Sequence, residues 1–470
     1  MDTHATRLTA ADALLWDIEG DPCLRTTIVA VSILDRSPDW KRLTRRIGDV
    51  CDAIPRLRQR VVEAPLRVTP PHWQTVERVD LTYHLRRVQA PGRGDLRSVL
   101  DIAGPIAMSA FDRERPLWEF TLVEGLQGGR AALIQKFHHS LTDGVGAVKL
   151  AELLLDRSRA GRHARRTSPG TSSNAASPGT HAPGSILGPA LGPILGPILG
   201  PILGSLVGPL AGSLLDPPRL LATTTKQLRS IGKLLAPVTT PLSPVMTERG
   251  LSRRLDTFDI SLDDMLAGAH AAGGTLNDAF LAGIAGGMQR YHDHHRAPVA
   301  GLRVTMPINL RKPGDPAGSN HFAPARFTLP MSAANVTDRL GEIGELTRSW
   351  RREPALPLAD AIAAVLTRLP RAATIAVFGG MLKAVDFVAT NVPGLHDRAF
   401  LAGAEVVRQY AFAPPSGAGL SIALLTHVDQ CCVGLNVDTA AVPDPDVMTA
   451  CLREGFDEVV ALGSATCMTA

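Results

Sequence analysis

The residues whose types and spacing could support catalysis form one short run, His138-His139-Ser140-Leu141-Thr142-Asp143-Gly144. Histidine is the side chain best suited to accepting a proton near neutral pH, because its unperturbed pKa is about 6.5. Asp143 can bond the turn or a buried cation, and Gly144 permits backbone conformations that other residues avoid. One interpretation is a general base on a rigid turn. The alternative, a pair of surface or core histidines beside a turn aspartate, is the commoner outcome for such a run taken alone.

Hydrophobic patterning places this run on a turn between a strand and a helix. The segments Phe120 to Val123 and Ala131 to Phe137 flank a glycine-rich stretch and predict a β-hairpin. Beyond the run, apolar residues recur at helical spacing, at Val145, Val148, Ala151, Leu154 and Leu155. Because such a turn can present side chains into a cleft, the catalytic interpretation is favoured.

The C-terminal half has the same mixed character. Thr275-Leu276-Asn277-Asp278 has the pattern of a helix start. Ser421 to His427 and Cys431 to Val437 predict a second hairpin, followed by a helix from about Asp446 to Leu462. Neither half shows the regular alternation of a doubly wound sheet, so the sequence predicts an α+β fold.

A compositional break separates the two halves. From Thr167 to Leu215 the chain contains no Asp, Glu, Lys or Arg, and its first part consists mainly of Ser, Thr, Pro, Gly and Ala. Such a segment cannot bury enough apolar area to offset its ordering entropy. We therefore predict an N-terminal domain at residues 1–156, a low-complexity linker at 157–218 and a C-terminal domain at 219–470.

An internal repeat occupies the second part of the linker. Ile186 to Ser213 reads as seven tetrads, namely ILGP, ALGP, ILGP, ILGP, ILGS, LVGP and LAGS. The length would suffice for a membrane span, but the repeated prolines remove the helix hydrogen bonds that a span needs. Two interpretations stay open: an inert linker expanded by repetition, or an apolar segment that rests on lipid or covers the mouth of an apolar tunnel.

Composition and charge exclude several classes of protein. The 470 residues, 45% of them hydrophobic, suffice for more than one core. The 49 Lys and Arg nearly balance the 45 Asp and Glu, which does not favour a nucleic-acid-binding protein. The N-terminus has no signal-peptide pattern, so we expect a cytoplasmic protein. The six cysteines form no disulfide or metal framework, and no nucleotide-binding loop is present.

Further motifs occur in order along both halves. They are Pro55-Arg56-Leu57-Arg58-Gln59-Arg60, Trp73, Phe111-Asp112-Arg113, Pro116-Leu117-Trp118-Glu119, Asn277-Asp278, Pro307-Ile308-Asn309-Leu310-Arg311 with Asn320, and Thr390-Asn391-Val392-Pro393-Gly394. The HHxxxDG pattern of the histidine run is typical of the superfamily of chloramphenicol acetyltransferase, carnitine acyltransferases and nonribosomal-peptide condensation domains. Taken together, the motifs resemble those of bacterial wax ester synthase/diacylglycerol acyltransferases, and the resemblance omits only the linker.

This resemblance implies two chloramphenicol-acetyltransferase-like domains with a tunnel between them and the histidine run at its middle. Acyl-CoA would be a co-substrate, no cofactor would be bound, and the acceptor would be diacylglycerol or a long-chain alcohol. His139 would take the proton from the acceptor hydroxyl, and His138 would pack against or orient it. Two other functions stay open: acylation of another lipid or polyketide alcohol, and lipid binding without catalysis. A peripheral position at a membrane or lipid droplet would suit each of them.

The resemblance also implies roles for residues outside the two histidines. Asp143 would pair with a buried arginine, for which Arg311 is the candidate, and Gly144 would complete the turn. Asn277 is a candidate for stabilising the oxyanion, with helix capping as an equal alternative. Asp278 is expected to cap the helix.

Some segments depart from the family pattern or suggest other sites. Cys23-Leu24-Arg25 stands where the family usually has a Met-His pair, and Pro307-Ile308-Asn309 replaces Pro-Val-Ser. These departures leave the substrate preference less firmly implied than the reaction type. Asn391-Val392-Pro393-Gly394 is expected to form a tight turn beside the cleft. His292-Asp293-His294-His295 lacks distant ligands, so no metal site is expected.

Overall fold

The computed structural model of the chain contains two six-stranded β-sheets with helices packed against them. It describes residues 6–64, 70–141, 146, 150, 152–161, 238, 240–309, 322–331, 333, 335–352, 363–364, 366–367 and 369–467. The N-terminal half contains α1 (Ala10–Ile18), β1 (Thr27–Leu34), α2 (Trp40–Ala53), β2 (Gln59–Val62), β3 (His72–Thr75), α3 (Leu81–His84), β4 (Leu85–Gln89), α4 (Leu96–Met108), β5 (Trp118–Glu124) and β6 (Ala131–His138).

The C-terminal half continues the alternation of helices and strands. It contains β7 (Arg253–Ser261), α5 (Leu262–Ala271), α6 (Leu276–His294), β8 (Gly301–Asn309), β9 (Phe322–Pro330), α7 (Val336–Arg351), α8 (Arg371–Leu382), β10 (Phe387–Leu395), β11 (Phe400–Leu401), β12 (Ala404–Phe412), β13 (Leu420–His427), β14 (Gln430–Asp438) and α9 (Pro445–Cys467). The first sheet has the strand order β11-β12-β1-β6-β5-β4, and the second has the order β7-β14-β13-β10-β8-β9. Strands β2 and β3 form a separate antiparallel pair.

The central strand β6 is buried along its whole length because both faces of the first sheet are covered. On one face, Leu133 and Phe137 join a cluster that includes residues of α2. On the other face, Ile134 packs with Val29 and Val31 of β1 and with α4. A strand covered on both sides has no polar alternation, as its sequence AALIQKFH shows. Both hydrophobic clusters therefore hold the strand that ends at His138.

In the second half, α6 and α9 pack in close contact beside the second sheet. Phe280, Ile284 and Met288 of α6 are fully buried in the largest hydrophobic cluster. A Cβ atom on Gly287 would lie 2.5 Å from the Cα of Leu452 in α9, closer than side chains tolerate. Glycine therefore permits the close approach of the two helices.

Two strands from the C-terminal half belong to the first sheet. β12 pairs antiparallel with β1, with Val29 opposite Phe412, and β11 pairs with β12 at the sheet edge. Residues 400–412 follow the sequence-predicted linker by almost two hundred positions, yet they complete the sheet that carries the histidine run. The two halves are therefore joined by backbone hydrogen bonds, and the boundaries 1–156, 157–218 and 219–470 stay predictions.

The structure confirms the two predicted hairpins and corrects one predicted turn. β5 with β6 and β13 with β14 are antiparallel pairs, and a helix follows β14. Cys431 and Cys432 are free, buried thiols that join different hydrophobic clusters. The expected tight turn at Asn391 to Gly394 is wrong, because these residues lie within strand β10. The irregularity at this position is a shift in the pairing register of β10 with β13, between Val392 and Leu395.

The tight-turn prediction failed because proline and glycine also mark irregular strand positions. Gly394 donates its N–H to Thr426 Oγ1 across 2.9 Å, and a Cβ atom on Gly394 would lie 1.9 Å from the carbonyl oxygen of Thr426. Glycine is required by this backbone contact between strands. Within the ranges that the structure describes, no helix is both long and apolar enough to cross a membrane.

Candidate active site

The two histidines lie where β6 leaves the first sheet. His138 is the last residue of β6 and opposes Thr27, the first residue of β1. The N–H of His138 donates to the carbonyl of Leu117 across 3.0 Å, and the N–H of His139 donates to the carbonyl of Thr26 across 3.1 Å. The chain then turns, because the N–H of Leu141 donates to the carbonyl of His138. The backbone of both histidines is thus fixed by neighbouring strand ends.

The imidazole of His138 is fully buried, and both of its nitrogens have partners. Nδ1 accepts the backbone N–H of Ser140 across 3.0 Å and lies 2.7 Å from Ser140 Oγ. Nε2 lies 3.0 Å from Oε1 of Glu19. Because a backbone N–H can only donate, Nδ1 is the acceptor, and Nε2 carries the proton that is donated to the carboxylate. The neighbours of His138 therefore fix its tautomer.

Glu19 follows α1 and was not identified from the sequence. Its side chain is only 9% exposed, and Oε1 also accepts the N–H of Thr26 across 3.2 Å. Burial acts to raise the pKa of Glu19, but the interactions with His138, the Thr26 N–H and Arg113 outweigh it and lower the pKa from 4.5 to about 2. Glu19 is therefore an anion at neutral pH. No motif in the sequence marks it, since a single acid after an apolar helix is unremarkable.

Aromatic side chains enclose the His138 ring. Trp16 and Phe111 meet it edge to face, with ring centroids 5.8 and 6.1 Å away. Leu117 and Trp118 of the Pro-Leu-Trp motif are buried, and Trp118 Nε1 donates to the carbonyl of Leu57 across 3.0 Å. The Pro-Leu-Trp motif therefore packs in the core and supports the backbone of the turn.

A buried cation lies on the same face of β6, two residues before His138. Lys136 has no exposed side-chain surface, donates to Ser109 Oγ across 2.9 Å and lies 3.6 Å from Glu119 Oε1. Its Nζ lies 4.0 Å from the centroid of the Phe111 ring. Burial lowers the pKa of Lys136, an effect that Glu119 partly offsets. Charged side chains therefore flank the turn. The sequence analysis named Glu119 only as part of a motif and did not identify Glu19 or Lys136.

His139 differs from His138 in exposure. It is half-buried, whereas His138 has no exposed surface. The two rings therefore meet different environments although they are adjacent in the chain. Asp143, Gly144 and Arg311 lie outside the described residues, so the predicted pairing of Asp143 with Arg311 stays a prediction.

Asn277 and Asp278 begin helix α6 in the second half. Asp278 and Thr275 form a reciprocal capping box, in which Thr275 N donates to Asp278 Oδ2 across 3.0 Å. This box confirms that Asp278 takes part in capping the helix, and Asp278 Oδ1 also accepts the hydroxyl of Thr347 across 2.9 Å. Asn277 is half-buried, and within the described part of the chain its side chain makes no hydrogen bond. Capping by Asn277 is therefore not observed, and its role toward an oxyanion stays a prediction.

The segment that departs from the family pattern connects the histidine turn to the C-terminal half. Leu24 is fully buried against Gly379 and Gly417, and the Cys23 thiol lies 3.9 Å from the carbonyl oxygen of Gly250. Arg25 donates to the carbonyl of Met108 at the end of α4. Cys23 to Arg25 thus pack between the two halves, immediately before Thr26.

A cavity of about 750 Å³ lies at the other end of β1, where Ile33, Arg408 and Tyr410 are among its lining residues. Ile33 lies six positions after Thr27, which corresponds to about 20 Å along a strand. This cavity is therefore separate from the histidine turn.

The histidine-rich end of α6 is closer to a metal-binding arrangement than the sequence predicted. Potential ligand atoms of His294, His295 and Asp444 lie within 4.8 Å of one another. Asp444 already accepts the hydroxyl of Tyr291 across 2.6 Å and lies 3.1 Å from His295 Nε2. These contacts explain the cluster as a helix-end hydrogen-bond network, and the absence of a metal stays an expectation.

Comparison with known proteins agrees with this architecture. Residues 8–280 match the wax ester synthase/diacylglycerol acyltransferase catalytic domain, and residues 318–459 match the WS/DGAT C-terminal domain. A Mycobacterium tuberculosis H37Rv protein with the name "Putative diacyglycerol O-acyltransferase" is 34% identical over 458 residues, which cover 96% of this chain and 91% of that protein. A second protein of that strain and name is 31% identical over 400 residues, which cover 82% of this chain and 83% of that protein.

Solved structures share the fold at lower identity. The wax ester synthase/diacylglycerol acyltransferase from Marinobacter aquaeolei VT8 has a TM-score of 0.63 and 20% identity, covering 98% of this chain and all of that one. A starter condensation domain of rhizomide synthetase, solved in complex with C8-CoA, has a TM-score of 0.63 and 12% identity, with 98% and 95% covered. The chain has the two-domain fold of the chloramphenicol-acetyltransferase type. The chain belongs to the wax ester synthase/diacylglycerol acyltransferase family and is an O-acyltransferase.

Proposed function

We propose that this enzyme transfers an acyl group from acyl-CoA to diacylglycerol, to a long-chain alcohol, or to both, with His139 as the general base. The products are triacylglycerol or a wax ester, together with free CoA. Acyl-CoA is a co-substrate in this proposal, and the protein binds no other cofactor and no metal. The lipid nature of the acceptor is consistent with a peripheral position at a membrane or lipid-droplet surface.

The observation that carries this proposal is the engagement of both ring nitrogens of His138. Its Nδ1 accepts from Ser140 and its Nε2 donates to Glu19, so His138 has no unoccupied lone pair to take a substrate proton. His139 is half-buried and its backbone is held by Thr26, which is suited to a side chain that must meet substrate. In this proposal His138 therefore supports the turn, and His139 is the residue that reacts.

The proposed reaction balances with one proton carrier. The acceptor hydroxyl oxygen attacks the thioester carbonyl carbon while His139 removes the hydroxyl proton, giving a tetrahedral oxyanion. The carbon–sulfur bond then breaks, and His139 returns the proton to the departing thiolate. General-base catalysis typically contributes about a hundredfold to ten-thousandfold, which suffices for an activated thioester when both substrates are positioned.

Four further residues have supporting roles in this proposal. Asn277 donates to the oxyanion, an interaction that can contribute about a hundredfold to a thousandfold. Asp143 pairs with Arg311 and, with Gly144, holds the turn that follows His139. Substitution of Asp143 would leave a buried cation uncompensated, so it should reduce stability and activity together.

A transfer assay with purified protein tests the proposal. Labelled palmitoyl-CoA is offered with diacylglycerol, hexadecanol or short alcohols, and the products are separated by lipid chromatography. We expect ester formation with at least one of the long-chain acceptors and its loss in His139→Ala. Transfer only to another lipid or polyketide alcohol would show that the proposed acceptor is wrong. No transfer by the folded protein would instead support a lipid-binding function without catalysis.

A further inference from the structure

We infer that Glu19 is a positioning residue for the reaction, which holds His139 in place through His138 and Thr26. The inference rests on the proposed role of His139 as the general base. Glu19 itself contacts neither His139 nor substrate in this arrangement. Glu19 acts on His139 indirectly, through its bonds to His138 and Thr26.

Hydrogen bonds and one peptide bond connect Glu19, Thr26, His139 and His138 in a closed ring. Glu19 Oε1 accepts from His138 Nε2 across 3.0 Å and from the N–H of Thr26 across 3.2 Å. The carbonyl of Thr26 then accepts the N–H of His139 across 3.1 Å. The peptide bond from His139 back to His138 closes the ring. One carboxylate oxygen therefore fixes both the side chain that precedes the base and the strand end to which the base is bonded.

The carboxylate is suited to this task because it is buried and ionised. A buried carboxylate must be hydrogen-bonded, so moving either donor away from Glu19 would be costly. Arg113 and Lys136 are the cations that act on Glu19 from the neighbouring loop and strand. Arg113 in turn faces Glu63, Asp17 and Arg371, while Lys136 faces Glu119 and Arg86. The Glu19 anion thus has both cations and other anions around it, and only 9% of its side chain is exposed.

The ring also depends on contact between the two halves. The loop from Glu19 to Thr26 includes Leu24, which is buried against Gly379 and Gly417 of the C-terminal half. Asp21 forms an ion pair of 2.6 Å with Lys383 at the end of α8. The position of Thr26, and hence of His139, is therefore set where the halves meet.

Two substitutions of Glu19 separate geometry from charge. Glu19→Gln retains an oxygen that can accept from both His138 and Thr26, but it removes the negative charge. Glu19→Ala removes both acceptor and charge and leaves the Thr26 N–H and the His138 ring without that partner. Displacing a reacting group by about 1 Å can cost about a hundredfold in rate. If Glu19 acts by position, the glutamine variant should therefore recover most of the rate that the alanine variant loses.

The experiment measures kcat, KM and the pH profile for the full chain with palmitoyl-CoA and its best acceptor. We expect Glu19→Ala to lower kcat about tenfold to a hundredfold with KM within about twofold, and Glu19→Gln to retain kcat within about threefold. In Glu19→Gln the acid limb of kcat/KM should move to lower pH, because removing the anion disfavours protonated His139. Glu63→Gln is the matched control, since Glu63 binds Trp16 and Arg113 in the same region without touching His138.

Several outcomes would overturn the inference. An alanine variant with wild-type kcat, a loss confined to KM, or an equal loss of kcat in Glu63→Gln would each do so. A glutamine variant that folds, shown by an unchanged near-UV spectrum, and yet is as inactive as the alanine variant would exclude a geometric role. Should Glu19→Ala fail to fold, Glu19→Gln still tests the inference, because an unshifted acid limb of its kcat/KM profile would contradict it. An active His139→Ala protein would instead refute the proposed base, which distinguishes the two failures.

Discussion

His138 Nε2 lies 3.0 Å from Glu19 Oε1, so a buried carboxylate occupies one ring nitrogen of the first of the two adjacent histidines. The ring of His138 is closed off by Glu19 on one side and Ser140 on the other. A histidine in that state orients its neighbours and has no lone pair to offer a substrate. The pair thus supports the proposal that His138 has a structural role and that His139 reacts.

The first prediction concerns the division of work between the histidines. His139→Ala should lower turnover at least about a hundredfold because it removes the general base, while the melting temperature stays near that of the wild type. His138→Ala should lose much less turnover but should unfold more readily, by about 1 to 3 kcal/mol, because the buried Glu19 loses one of its donors and keeps only those of Thr26. Steady-state kinetics and thermal unfolding check both. Equal loss of turnover at unchanged stability would reject the assignment.

The second prediction concerns the order of the reaction. Direct transfer requires both substrates to be bound together, so varying acyl-CoA at several acceptor concentrations should give intersecting double-reciprocal lines. Parallel lines would indicate a covalent acyl-enzyme. Isolation of an acylated protein that releases its acyl group at the rate of turnover would overturn direct transfer.

The third prediction concerns the repeat in the linker. Its Ile and Leu side chains each gain roughly 1.5 to 3 kcal/mol when fully removed from water, so partial burial in lipid is favourable. Deletion of Ile186 to Ser213 should leave transfer to a soluble short-chain alcohol within about threefold, less than about 1 kcal/mol in barrier, but reduce sedimentation with liposomes. Loss of turnover in a folded deletion variant would place the repeat at the tunnel. Unchanged liposome binding would make it an inert linker.

The fourth prediction concerns the irregular strand β10. Gly394→Ala would place a Cβ atom 1.9 Å from the carbonyl oxygen of Thr426, so the strands must separate and stability should fall by about 1 to 3 kcal/mol or more. Gly380→Ala in helix α8 is the matched control, because no described atom lies within 4 Å of its new Cβ. Alanine there should be neutral or stabilise the helix by up to about 1 kcal/mol. Urea unfolding gives the free energy of unfolding of both variants. Similar changes in the two would contradict the close contact between Gly394 and Thr426.

The fifth prediction concerns acid stability. The pKa of Glu19 is lowered from 4.5 to about 2 on folding, so its ionised form stabilises the native state above the unfolded pKa. This contribution, at most about 3 kcal/mol, should be lost as the pH falls from about 4.5 toward 2. Unfolding of the wild type and Glu19→Gln between pH 7 and 3 should therefore show a stability difference that is largest at neutral pH and shrinks on acidification. A difference independent of pH would contradict an ionised Glu19.

Local patterns in the sequence were enough to predict the α+β class, the two hairpins and the capping box at Asp278. Each of these depends on contacts between residues a few positions apart, so periodicity and turn chemistry identify them. The same logic failed at Gly394, because proline and glycine interrupt a strand as readily as they form a turn. The histidine run and the family were identified from residue types and their order alone.

What the sequence determined by itself is therefore which residues could react and which local elements carry them. Only the tertiary structure decided how the turn that carries the two histidines is held. Glu19 lies more than a hundred positions from His138, and β12 joins the first sheet from the far end of the chain. Such contacts follow no periodic pattern, because they arise when separately formed elements pack and a buried carboxylate must find donors wherever the fold supplies them.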